Sequence, residues 1–176
     1  MSLSYHGAAP DGRVFHRLAA RESASAAPGC PCMTLTGDYQ PSTSSWVRDQ
    51  VELYERTGGA EGNQIQGRPI VVIASRGAKS GAVRKNPVMR VEHDGVYAAV
   101  ASKGGAPDNP SWYYNLLADP HVRLQDGPEP ASYVARLVEG EEREIWWARA
   151  VEAFPPYAGY QVKTERLIPV FVLERD

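Results

Sequence analysis

Cysteine is scarce in this chain of 176 residues: only Cys30 and Cys32 occur, in the run Gly29-Cys30-Pro31-Cys32. Two thiols so close in sequence cannot staple a disulfide framework, and no second pair completes a zinc site. The four histidines, at 6, 16, 93 and 121, show no ligand spacing to them. A redox pair or half of a metal site stays open, but two thiols in a loosely structured leader is the simpler expectation, and no metal is expected. Charge of one sign is also lacking. A formal net charge of -2 argues against bulk attraction to nucleic acid. No apolar run approaches the ~20 residues of a membrane-spanning helix. Residues 1–32 hold basic residues and alanines without the continuous apolar stretch of a secretory signal. Cytoplasmic residence is the default expectation. The G-x-G-x-x-G fingerprint and the P-loop are both absent, so a nucleotide-like ligand must be held by other means.

What is present divides into a leader and one folded domain. Residues 1–41 are rich in Ala, Gly, Pro and Ser without periodicity, which suits a disordered leader; Met33 inside it is a second candidate start. Residues 42–176 are expected to form a single domain. Ser44 or Ser45 caps a helix in which Trp46, Val47, Val51 and Tyr54 recur at three- and four-residue steps, and Gly58-Gly59 ends it. The run from Pro69 to Ser75 is apolar and β-branched, as in a strand buried on both faces. Val88 to Glu92 and Val96 to Ala101 flank the hairpin signal Asp94-Gly95. Asn109-Pro110 reads as a helix cap followed by proline, with Asp119-Pro120 closing that helix. Strands follow at 122–125 and 132–138. A helix is expected over about 141–154 with Trp147, Ala150, Val151 and Phe154 on one face, and a last strand over 167–174. Hairpins with inserted short helices, without β-α-β alternation, point to a mainly β, α+β fold closed as a barrel.

Two segments carry chemistry. In the first, Arg76 to Pro87, Gly77 and Gly81 free the backbone while Lys79, Ser80 and Arg84 supply cations and a hydroxyl. Converging donors of this kind suit a phosphate, although a solvated basic hairpin is the commoner fate of such a cluster. In the second, Ala101 to Asn115, Ser102 and Lys103 end a strand, and Gly104-Gly105 lets the chain lie close to a ligand. The helix after Asn109 could attract an anion at its N-terminus. Read alone, that segment is equally a tight turn with Trp112 filling the core. Two such segments in one small domain favour a shared ligand.

The ordered set Gly77, Lys79, Ser80, Gly81, Arg84 and Pro87; Ser102 to Gly105; Asn109, Pro110, Trp112 and Asn115; Ala118, Pro120 and Val122; and Arg166, Ile168, Pro169 and Val170 resembles the deazaflavin-dependent nitroreductase and quinone reductase family. These proteins are relatives of the FMN-binding split β-barrels. The resemblance spans roughly residues 42–176. It implies a split β-barrel with short flanking helices that binds coenzyme F-420, an 8-hydroxy-5-deazaflavin with a phosphorylated, anionic tail. Lys79, Ser80 and Arg84 would hold the phosphate and tail, and Asn86 and Pro87 would border the cofactor. Ser102, Lys103 and Gly104 would reach the ring or its linker, with Trp112 and Asn115 nearby. The implied reaction is hydride transfer to a quinone or nitroaromatic, with Tyr157, Tyr160 and Ser102 as candidate catalytic groups in an acceptor pocket formed around 154–160. Phe154 departs from the nitroreductase pattern, which has tyrosine there, and lowers the expectation of nitro reduction. An FMN-dependent split-barrel enzyme and a non-enzymatic deazaflavin carrier are the alternatives. Residues 44–56 are expected to cover the barrel; weak contact with the inner membrane face through Trp46, Val47 and Tyr54 is the second reading, since Arg48 and Arg56 are matched by acids.

Overall fold

The computed structural model describes residues 35–176; the expected leader's first 34 residues, with Cys30, Cys32 and Met33, lie outside the described residues. Helix α1, Ser45–Arg56, leads into the short strand β1, Gln64–Ile65, and then β2, Arg68–Arg76, β3, Val83–Met89, and β4, Val91–His93. Strand β5, Val96–Val100, a 3-10 turn at Lys103–Gly105 and helix α2, Ser111–Ala118, follow. Strands β6, His121–Gln125, and β7, Pro130–Val138, precede helix α3, Gly140–Ala153, helix α4, Pro156–Val162, and strand β8, Val170–Arg175.

The sheet is antiparallel, with neighbours in the order β1-β2-β6-β7-β8-β5-β4, and β3 pairs with β2. Strand β3, paired with β2 near one end of this order, and β4 at the other end are consecutive in the chain and separated only by Arg90, so the sheet curls back on itself at that bend. This is the expected split barrel.

Alternation along the strands sorts the apolar side chains into separate layers. Val71 and Ile73 of β2, Ala99 of β5, Leu124 of β6 and Phe171 and Leu173 of β8 point inward, where Trp112 and Leu116 of α2 plug the barrel. On the outer face, Ala98, Val100, Val170 and Val172 meet Trp146 and Ala150 of α3 and Tyr157 of α4. Ile70 and Val72 pack instead against Val51 and Tyr54 of α1. Strands β2, β5 and β8 are therefore covered on both sides, which explains their near-continuous apolar sequence. Burying each such side chain contributes roughly 1.5–3 kcal/mol.

Several expectations need correcting. Residues 83–87 belong to β3, laddered to β2 from Arg76↔Val83 to Ile70↔Met89, so the basic loop is shorter than expected. Pro87 is tolerated there because β3 has β2 as its sole ladder neighbour among the described strands. The strand expected at 88–92 is broken between β3 and β4. Asp94 and Gly95 both take left-handed conformations, φ 52° and 79°, as a type I′ hairpin turn requires. Asn109 does not cap α2; Pro110 occupies the N-cap position and no side chain caps it. In α3 the buried face holds Arg143, Trp146 and Ala150, with Trp147 and Val151 at its margin. Most of the 154–160 segment is helical: after Phe154 and Pro155, α4 begins at Pro156, which lies in its first turn. Ahead of α1, residues 38–40 run beside β3: Tyr39 bridges to Val83, whose N–H donates to the Asp38 carbonyl.

Candidate functional site

Between β2 and β3 the chain turns through Gly77–Ala82, closed by Gly77 N–H to the Ala82 carbonyl at 2.8 Å and Gly81 N–H to the Gly77 carbonyl at 2.8 Å. A Cβ at Gly77 would sit 2.8 Å from Ser80 Oγ and 3.2 Å from the Ala82 carbonyl oxygen, so a larger residue there would have to turn the Ser80 hydroxyl aside. Asn115 of α2 braces it from the far side: its Oδ1 accepts the Ala78 N–H at 3.0 Å. The turn, β3 and the start of α2 enclose a cleft of about 760 Å³. Lys79, Arg84, Lys85 and Lys103 line it, and no carboxylate does. Lys85 is drawn toward α1 by Glu55 at 2.7 Å, while Arg84 Nη1 lies 3.4 Å from the carbonyl oxygens of Gln40 and Pro41. Lys79 and Lys103 have no ion-pair partner among the described residues. Arg76, the other cation of the segment, is turned away and bound to Asp119 at 3.1 Å. The result is a polar cleft with uncompensated positive charge, suited to a multiply charged anion.

A second cavity, of about 270 Å³, is mostly apolar, with Trp46, Ile65, Val88, Met89, Phe154, Tyr157 and Tyr160 among its walls. It adjoins the first cleft twice. Asn86 lines the cleft and the next residue, Pro87, lines the cavity. Lys103 lines the cleft while Ser102 and Gly104 on either side line the cavity. Lys103 itself is left-handed, φ 46°, a conformation that costs a non-glycine residue roughly 1–2 kcal/mol. Phe154 and Tyr157 meet edge to face with ring centroids 5.0 Å apart, and Tyr160 stands 6.2 Å from each. Neither tyrosine hydroxyl has a hydrogen-bond partner among the described residues. Burial pushes the Tyr157 phenol well above its ordinary value, so it stays a neutral donor.

A model of the F420H(2)-dependent quinone reductase family matches residues 46–175, nearly all of the described fold. The chain belongs to that family. An F420H(2)-dependent quinone reductase of Mycobacterium tuberculosis, Rv1261c, is 34% identical over 127 residues, covering 70% of this chain and 85% of its own. Among solved structures, an F420-H2 dependent reductase, FDR-A, shares 60% identity over 61% of this chain and 95% of its own, with a TM-score of 0.58. Another, described as a domain-swapped dimer, shares 55% identity over 76% of this chain and all of its own, with a TM-score of 0.60.

In this quinone reductase family member, the residues singled out from sequence fall into three groups. Lys79, Ser80, Arg84, Asn86, Lys103 and Asn115 come together on the cationic cleft. Pro87, Ser102, Gly104, Tyr157 and Tyr160 come together on the apolar cavity. Trp112 lines neither: it is 9% exposed and packs edge-on against Phe171 at 6.2 Å, because it shares the inward face of α2 with Leu116. Sequence reasoning missed Gln40, which walls the cleft from the end of the expected leader, Ser42 and Thr43 at the start of the expected domain, and Lys85, Ser111 and Tyr114. Lys85 was readable as the neighbour of Arg84; the polar 40–43 stretch carries no signal of its own.

Proposed function

We propose that this protein is an oxidoreductase that passes a hydride from reduced coenzyme F-420 to a quinone. The observation that carries this reading is the pairing of a cleft bearing four cations and no carboxylate with an apolar cavity that shares its walls at Asn86–Pro87 and Ser102–Gly104. The cleft's donors fit a phosphorylated, carboxylate-bearing tail. When bound, the reduced deazaflavin supplies the hydride. The chain's own residues do the rest: Lys79, Ser80 and Arg84 hold the tail, and Asn86, Pro87 and Lys103 flank the cofactor. In the cavity, Tyr157 and Tyr160 offer unpartnered hydroxyls to charge developing on the acceptor oxygen, an effect that is strong where water is excluded. Phe154, 3% exposed, brings no third hydroxyl, which supports a quinone over a nitroaromatic.

Residues 42–176 act in this reading as the single cofactor-binding domain, with 40–41 contributing to its wall. No helix among the described residues is long and apolar enough to cross a membrane. Trp46 is 53% exposed and also lines the acceptor cavity, which supports a lipophilic acceptor entering beside α1 from a membrane surface. The deciding experiment titrates oxidised F-420 and FMN separately into the protein, then follows oxidation of reduced F-420 with menadione and with a nitroaromatic. Tight FMN binding without F-420 affinity would overturn the cofactor assignment. F-420 binding without acceptor-dependent oxidation would make the protein a carrier.

A further inference from the structure

Three consecutive residues, Lys103, Gly104 and Gly105, take left-handed conformations at φ 46°, 67° and 84°. The turn's own hydrogen bonds are two, Gly105 N–H to the Ser102 carbonyl at 2.9 Å and Ala106 N–H to the Lys103 carbonyl at 3.2 Å. A lysine is not held in that region by so little. Besides the packing of Gly105 against Tyr160 of α4, the turn is held by Arg166, which lines neither cavity. Its Nη2 donates to the carbonyls of Ala101 at 3.1 Å and Ser102 at 3.0 Å, and its Nε donates to that of Ala106 at 3.0 Å. Its Nη1 donates to Asn109 Oδ1 at 2.7 Å. One planar fork thus fixes both ends of the turn and the approach to α2, which a single ammonium cannot do. The backbone of Arg166 is tied in the opposite direction: Gln161 of α4 donates to its carbonyl at 2.8 Å and accepts the Ile168 N–H at 2.9 Å. Helix α4 carries Tyr157 and Tyr160.

We propose that Arg166 is a positioning residue that locks the Ser102–Gly105 turn to α4, and so sets Lys103 in the cationic cleft at a fixed separation from the two tyrosines of the acceptor cavity. The functional consequence rests on the reading of cleft and cavity given above; the restraint on the turn does not. A displacement of the order of 1 Å between reacting groups lowers turnover about 100-fold.

The test uses the full chain with Arg166→Gln and Arg166→Lys. Amide hydrogen exchange is followed at Gly105 and Ala106, with the β2 core amides as internal reference. F-420 affinity and the kcat and KM for menadione are measured alongside. Folded Arg166→Gln is expected to exchange these two amides on the order of tenfold faster against an unchanged reference. Its kcat should fall by about 100-fold, with cofactor affinity changed far less. Arg166→Lys, which keeps the charge without the fork, should recover only part of the loss in both readouts. Wild-type exchange and wild-type kcat in either folded variant would overturn the proposal. If the wild-type chain does not oxidise reduced F-420, the functional reading fails by itself, and the exchange rates still decide the role of Arg166. If Arg166→Gln does not fold, Arg166→Lys decides the matter by the same two measurements.

Discussion

Lys79 and Arg84 carry the same charge into the cleft but under different restraint. Lys79 has no ion-pair partner, whereas Arg84 also reaches the carbonyls of the 40–41 wall. Charge-assisted hydrogen bonds contribute roughly 1.5–3 kcal/mol each, so Lys79→Ala should weaken F-420 binding at least tenfold and leave the melting temperature unchanged. Arg84→Ala should weaken it similarly and also loosen the wall, lowering the melting temperature by about a degree or two. Calorimetric titration and thermal unfolding separate the two effects, and wild-type affinity in the double variant would remove the cleft as the cofactor site. Tyr157 and Tyr160 lie beyond the cleft, in the apolar cavity. Replacing either by phenylalanine should lower turnover by about tenfold, the value of one hydrogen bond to a developing charge, with cofactor affinity intact. Turnover equal to wild type in both variants would dismiss their role.

At the scale of elements, α4 and the Lys103–Gly105 turn meet without a spacer. A Cβ on Gly105 would lie 2.7 Å from the Tyr160 carbonyl oxygen, at a φ of 84° that side chains avoid. Gly105→Ala should therefore push α4 off the turn, costing about 1–3 kcal/mol. Denaturant unfolding should show the loss in stability and steady-state assays a parallel loss in turnover. An alanine variant as stable and active as wild type would mean the contact yields freely. The same neighbourhood marks how far sequence could be read. The buried strand β2 and the Asp94-Gly95 hairpin were legible because period and turn chemistry are local. Helix α4 was not, since Pro155, Pro156 and Gly159 look like breakers until Pro156 is placed in the first turn, where its missing N–H does no harm. Strand β3 was not, because Arg84-Lys85-Asn86-Pro87 has no apolar alternation; its seven-residue ladder with β2 overrides local preference. In the site, the cations were legible as a cluster. The bonds of Arg166 to residues 57 to 65 positions away leave no pattern that a single sequence displays.

Across the whole molecule, buried phenols fasten the covering helices to the barrel. Tyr54 of α1 accepts the Gly127 N–H at 2.9 Å in the β6–β7 turn, and Tyr157 of α4 lies in the outer cluster. Burial is the leading cause that raises the pKa of both above the ordinary 10.0. Below pH 10, folded and unfolded chains both keep these phenols protonated, and the full stability is present. Above it the unfolded chain releases protons that the folded chain retains, and stability falls by about 1.4 kcal/mol per pH unit for each such tyrosine until the folded values are reached. Alkaline unfolding should therefore detach α1 and α4 in one cooperative step rather than fray the ends. Urea midpoints measured from pH 8 to 11 should be flat to about pH 10 and then decline. Tyr157→Phe should make that decline shallower, because its hydroxyl has no partner in the fold to lose and its unfolded state has one proton fewer to release. An unchanged slope in this variant would place the titrating groups elsewhere.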